Sequence, residues 1–216
     1  MNKRILMSTL ALVLTGPANP AKAANFSFRG NLSGPDDVQL FTFALSSITT
    51  VTLRTWSYAG GVNAAGDTIA RGGFDPILAL YAGTTASAVK IEENDDGGPS
   101  RVSADITGAH FDTWLQAVLN PGTDTVAVSQ FAAYSSGLTL GDGFGPSGFS
   151  TFRDVTDSER TSAWAFDVLD VEAAAEVPPA HGVPDGGSGL LLLSIAVSSC
   201  MAIKRMSRTA PAVLQG

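Results

Sequence analysis

Apolar and polar residues alternate with a period of two along most of the central chain. Gln39 to Leu45 (QLFTFAL) places Phe41, Phe43 and Leu45 on one face, and Thr50 to Trp56 (TVTLRTW) sets Val51 and Leu53 against Thr52 and Arg54. Ile77 to Tyr81 is a short apolar run, and Trp114 to Leu119, Thr125 to Phe131 and Trp164 to Val168 continue the series. Turn residues punctuate these runs: Gly34-Pro35-Asp36-Asp37, Ala59-Gly60-Gly61, Asn94-Asp95-Asp96-Gly97-Gly98 and Asn120-Pro121-Gly122. Short alternating strands between explicit turns predict an all-β antiparallel sandwich over residues 24–171. No long amphipathic helix and no repeat of fixed period interrupts the series.

The two ends follow a different pattern. Residues 1–23 read as a signal peptide: Lys3 and Arg4 are the basic start, Ile5 to Leu14 the apolar run, and Ala21-Lys22-Ala23 the small-x-small cleavage site, with cleavage after Ala23. At the other end, residues 172–189 (EAAAEVPPAHGVPDGGSG) read as a flexible linker. Within it, Val183-Pro184-Asp185-Gly186-Gly187 cannot sustain a helix, because Pro fixes φ and Gly-Gly is permissive. The apolar run of residues 190–203 then reads as a single hydrophobic transmembrane helix, and residues 204–216, with Lys204, Arg205 and Arg208, as a basic cytoplasmic tail. Fourteen helical residues span about 21 Å against roughly 30 Å of hydrocarbon, a marginal span helped by snorkelling of the basic end.

Charge sharpens this division. The formal charge of −7 averages over unlike pieces. Residues 24–182 hold seven basic side chains against nineteen acids, a net of −12. An acidic body excludes nucleic-acid binding, which needs a basic surface to meet phosphate. The single cysteine, Cys200, lies in the C-terminal apolar run, so the body has no disulfide framework and no thiolate zinc site. Packing or bound ions must stabilise it.

The C-terminal series of motif, apolar run and basic end resembles the PEP-CTERM class of sorting signals, in the variant whose motif reads Val-Pro-Asp-Ser/Gly-Gly. The match is carried by Val183, Pro184, Asp185, Gly186 and Gly187. The resemblance implies an exosortase and the Sec translocon as partners, removal of the tail, transient residence in the inner membrane, and a final place in the envelope or outside a Gram-negative-type cell. Within the body, Asp36-Asp37-Val38-Gln39-Leu40-Phe41, Gly73-Phe74-Asp75-Pro76-Ile77-Leu78 and Asn94-Asp95-Asp96-Gly97 follow an order that resembles the bacterial pre-peptidase C-terminal domain. That resemblance covers residues 26–172 and implies a jelly-roll-like sandwich. The family's Gln-aromatic-Asp-Asn run is Gln130-Phe131-Ala132-Ala133 here, so no role of that Asp-Asn pair carries over.

Few residues point to chemistry. Glu92-x-Asn94-x-Asp96-Gly97 mimics the first half of an EF-hand loop, but the twelfth position is Ser103 and no helices flank it. A looser calcium site between sandwich loops would draw on Asp36, Asp37, Asp75 and Asp96. A hairpin turn at Asn94 to Gly98, with Asn and Asp capping their own backbone, is the competing reading. Gly143 to Gly148 matches G-x-G-x-x-G, but Pro146 and no following helix mark it as a loop. His110 has no nucleophile elbow to serve and reads as a surface histidine. Trp56, sharing parity with Arg54, would face outward beside Tyr58, where both could stack on a sugar; a core or rim role is the favoured reading for Trp56, Trp114 and Trp164 alike. A hydrolase built on Asp95 and Asp96 is disfavoured if the two carboxylates project to opposite faces of a strand. The expectation is an exported, non-enzymatic protein without an obligatory cofactor. It would have a structural or adhesive role in the exopolysaccharide layer, with a carbohydrate- or calcium-binding module as the alternative.

Overall fold

The computed structural model describes residues 22–178. The first 21 residues of the signal segment, the sorting motif 183–187, the apolar run 190–203 and the tail 204–216 lie outside them. Among the described residues, no helix is long and apolar enough to cross a membrane.

The chain forms an all-β sandwich. A four-stranded antiparallel sheet takes β1 (Ala24–Asn31), β10 (Ala163–Val171), β3 (Thr49–Thr55) and β8 (Trp114–Leu119) in that spatial order. A five-stranded sheet takes β11 (Ala173–Val177), β2 (Gln39–Leu45), β9 (Gly122–Gln130), β6 (Pro76–Ala82) and β7 (Val89–Asn94). A short hairpin, β4 (Gly61–Val62) with β5 (Thr68–Ile69), stands apart. Nearly every other connection carries the chain from one sheet to the other; within a large sheet, only β6 and β7 are both sequential and paired.

The period-two pattern decides which residues meet. Phe41, Phe43 and Leu45 from β2, Val51 and Leu53 from β3, Val126 and Val128 from β9, and Trp164, Phe166 and Val168 from β10 form the core between the sheets. Aromatic rings concentrate at its centre: Phe41 lies 4.9 Å from Phe28, 5.0 Å from Phe166 and 5.4 Å edge-on from Trp164. The apolar run in β6 has a separate cause. Leu78 and Leu80 face this core, while Ala79 and Tyr81 face a second cluster with Ala88 and Ala127 under Leu140 and Phe144. The long β9–β10 connection thus lies over the outer face of the five-stranded sheet, and β6 is buried on both sides.

Three sequence expectations are corrected. The segment read as linker begins with a strand: β11 pairs Ala173 to Val177 with Ala44 to Leu40, so the sandwich reaches Val177 rather than ending at 171. Its Ala-Glu composition carries little strand signal, and its position is set by the open edge of β2. The stretch from Asn94 to Gly98 is no tight hairpin; it leads from β7 to β8 in the opposite sheet. Finally, the first strand went unread although Phe26 and Phe28 alternate, and both pack against the core.

Candidate functional site

The register of one hairpin assembles the site. β6 and β7 run antiparallel with Leu78 opposite Asn94. Asp75, just before β6, therefore stands at the same sheet end as Asp95 and Asp96, just after β7. One carboxylate oxygen from each lies within 4.8 Å of the other two.

The surrounding backbone is closely tied. Phe131 N–H donates to the Asp75 carbonyl at 2.7 Å. Thr113 Oγ1 joins the carbonyls of Pro76 and Asp95. Asn94 Nδ2 donates to the carbonyls of Trp114 (2.7 Å) and Asp96 (3.0 Å). Gly97 N–H donates to the Asp112 carbonyl at 2.8 Å, and a Cβ on Gly97 would stand 2.5 Å from Val102 and 3.0 Å from the Trp114 Cβ. Only glycine permits that approach, and Gly98 follows in a left-handed conformation (φ 67°). The loop bearing Asp95 and Asp96 is thereby fixed against β8.

The three carboxylates differ in exposure. Asp75 is 1 % exposed, Asp95 half-buried and Asp96 exposed. Tyr134 donates its hydroxyl to Asp95 Oδ2 at 2.7 Å. The buried Asp75 Oδ1 and Asp95 Oδ1 have no hydrogen-bond partner. Burial, then the negative charges of Asp95, Asp96 and Asp154, push the Asp75 carboxyl up to about 9. Burial and the Asp95 charge push Asp96 to about 6, and burial with the Glu93 charge raises Asp95, against the Tyr134 bond. The charges acting on the trio are all carboxylates. Such oxygen-only, acidic ends suit hard cations rather than soft or imidazole-seeking metals.

The other predicted residues lie elsewhere. Asp36 and Asp37 do not join the trio. Asp36 Oδ1 accepts from the Ser147 N–H and hydroxyl, both 2.7 Å, which hold it below the usual carboxylate range; Asp37 Oδ2 accepts from Gly34 N–H at 2.7 Å. Tyr58 is corrected outright. It is 1 % exposed, its hydroxyl donates to Asp154 at 2.8 Å, and the Arg160 guanidinium lies 3.5 Å from its ring centre. No face is left for a sugar. Trp56 does pair with Arg54 as parity implied, but the guanidinium covers its ring at 3.6 Å. Gly61 packs on the same indole, whose N–H donates to Asp167. Trp164 is core, and Trp114 is half-buried with Arg54 and Arg101 near its ring. His110 contacts the Val102 carbonyl through Nδ1 at 3.0 Å, and residues 143–148 form a loop.

The alternation argument against Asp95 and Asp96 acting together fails here, because both residues lie past the end of β7. Sequence reading also passed over Gln130 and Tyr134. The signals were an acid before one strand, an Asn-Asp-Asp after its neighbour, and a glutamine at a core position of β9. A shallow cavity of about 370 Å³ lies away from the trio, beside β1, lined by Arg29, Asn31, Ser57, Thr68 and Trp164 among others. Arg29 there faces Asp67 at 3.9 Å. No family model matches the chain, and no curated protein matches it.

Proposed function

We propose that this chain is an exported β-sandwich protein with a non-catalytic structural or adhesive role in the extracellular polysaccharide layer. A Sec-type signal delivers it and a PEP-CTERM-type signal at residues 183–187 sorts it through an exosortase. The observation that carries this reading is where the strands begin and end. β1 opens at Ala24, the first residue after the expected cleavage, and β11 closes at Val177, six positions before Val183. Ala24 also pairs with Val171 near the end of β10. A jelly-roll-like body of the pre-peptidase C-terminal kind accords with the repeated crossing between sheets.

The non-catalytic reading rests on burial: the carboxyl shifted furthest, Asp75, owes that shift first to its burial and is the one a substrate cannot reach. The covered faces of Trp56 and Tyr58 argue against the sugar-stacking alternative.

The test follows the full-length chain in a host that carries an exosortase. The expected product is shortened at both ends and delivered to the envelope surface, whereas a Pro184→Ala/Asp185→Ala variant keeps its tail and stays in the inner membrane. Unchanged mass and location of the variant would refute the sorting assignment.

A further inference from the structure

We propose that Asp75, Asp95 and Asp96 bind one calcium ion at the open end of the β6–β7 hairpin. The proposal goes beyond the export reading and does not depend on it.

Geometry comes first. A calcium–oxygen bond is about 2.3–2.6 Å, so two ligands of one ion stand no more than about 4.6–5.2 Å apart. The three carboxylate oxygens already lie within 4.8 Å of one another. Magnesium, at about 2.0–2.1 Å, would require them to close to about 4.2 Å and to reach near-octahedral order. The loop's backbone is pinned by Thr113, Asn94 and Gly97, which favours the larger ion.

The second observation is independent of acidity. A carboxylate oxygen in a folded interior nearly always has a partner. Asp75 is 1 % exposed, yet its Oδ1 has none, and one oxygen of the same carboxyl lies within 4.8 Å of carboxylate oxygens of Asp95 and Asp96. Asp95 Oδ1 is likewise buried and unpartnered. At the same strand end, Gln130 stands opposite Pro76 on β9, fully buried, with neither its amide oxygen nor its amide nitrogen partnered. An uncompensated buried oxygen of this kind carries a desolvation cost, larger for a charged group. An ion among the three would remove that cost.

The arrangement also provides an entry path. Exposure rises from Asp75 through Asp95 to Asp96, and Tyr134, 40 % exposed, is bonded to Asp95 at the rim. Three carboxylates leave the bound ion short of its roughly six to eight oxygens. Water from the Asp96 side would supply the rest. Asp75 and Asp95–Asp96 come from chain segments about twenty residues apart. The ion would therefore fasten the β7–β8 connection to the start of β6.

The experiment uses the full-length chain in mild detergent, stripped with chelator. Calcium at millimolar concentration should raise Tm by several degrees, magnesium by clearly less. Terbium, bound in calcium's place, should luminesce on excitation of Tyr134, and calcium should quench that signal by displacement. Asp96→Asn, at an exposed position, should fold and weaken calcium binding by roughly tenfold or more. Asp75→Asn should abolish it. A Tm unmoved by calcium, an equal response to magnesium, or Asp75→Asn and Asp96→Asn variants that bind as the parent does would each overturn the proposal. Loss of the calcium response with normal sorting, or the reverse, separates this inference from the export reading.

Discussion

Arg160 provides the sharpest test of how the long β9–β10 connection is held. Its Nε donates to Asp154 at 3.0 Å and one terminal nitrogen to Asp105 at 3.2 Å. The three side chains are 12 %, 1 % and 4 % exposed, and the guanidinium stacks 3.5 Å from the Tyr58 ring centre. Each acid already satisfies its Oδ1 locally: Asp154 from Thr156 and Ser158, Asp105 from Thr107 and Ala109. Arg160 serves the remaining Oδ2 of both. Arg160→Ala therefore strands the buried Asp105 Oδ2, leaves Asp154 Oδ2 with the Tyr58 hydroxyl alone, and uncovers an aromatic face. Breaking a buried pair on one side costs about 3–5 kcal/mol. The Tyr58 hydroxyl still serves Asp154, which places the expected loss near the lower end, about 3 kcal/mol. With a urea m-value of about 2 kcal/mol per molar, the midpoint should fall by roughly 1.5 M. Arg160→Lys keeps the charge but cannot fork to two acids and stack at once, so it should recover less than half of the loss. Urea unfolding read by the fluorescence of Trp56, Trp114 and Trp164 measures both, since all three tryptophans lie in the sandwich. A loss under about 1 kcal/mol for Arg160→Ala, or full recovery by lysine, would refute the argument, because only solvent-screened pairs behave that way.

Two further outcomes follow from the same structure. Burial lifts the Asp112 carboxyl to about 6, against bonds from Ala59 and Thr55, so the folded state keeps a proton that the unfolded chain has released above 3.8. The sign is therefore opposite to that of a salt-bridged acid: this group's contribution is fully favourable below pH 4 and is lost as pH rises to about 6. The loss is on the order of 3 kcal/mol at about 1.4 kcal/mol per pH unit. Asp112→Asn should flatten that part of the stability–pH curve, and an unchanged slope between pH 4 and 6 would contradict the assignment. Chains ending at Val177 and at Glu172 both lack the sorting region, but only the second lacks β11 and bares the edge of β2. The shorter chain should self-associate in light scattering while the longer stays monomeric; identical behaviour would mean that β11 does not protect that edge.

Strands were legible where one face is buried and the other wet. Phe41, Phe43 and Leu45 alternate with Leu40, Thr42 and Ala44, and the sandwich follows from that period. The signal weakened where tertiary context supplies what the local sequence lacks. β11 is mostly alanine and glutamate and exists because β2 offers unpaired backbone groups. β7 carries Lys90, Glu92 and Glu93, and its two apolar residues, Val89 and Ile91, are exposed. It is a strand because β6 pairs on one side and Leu138 and Thr139 partly cover the other.

The site was half legible for a related reason. Residue type singled out Asp75 and Asp96 among the acids, but grouping them with Asp36 and Asp37 required knowing which loops share an end of the sandwich. That is a question of register, and register lies in the pairing rather than in the composition. Leu78 opposite Asn94 sets Asp75 beside Asp95 and Asp96; a slip of two residues would preserve every buried face and still separate them. The same pairing leaves Asp75 Oδ1 and Asp95 Oδ1 without partners among the side chains and amides that satisfy their neighbours. A calcium-stripped chain therefore tests register and ion together. If hydrogen exchange on stripping quickens at Asp75 and Ile77 and at Asp95–Gly97 alike, while β2 and β9 stay protected, one ion spans the two segments. If only the Asp95–Gly97 loop responds, the buried Asp75 carboxyl is held by its proton and not by a metal.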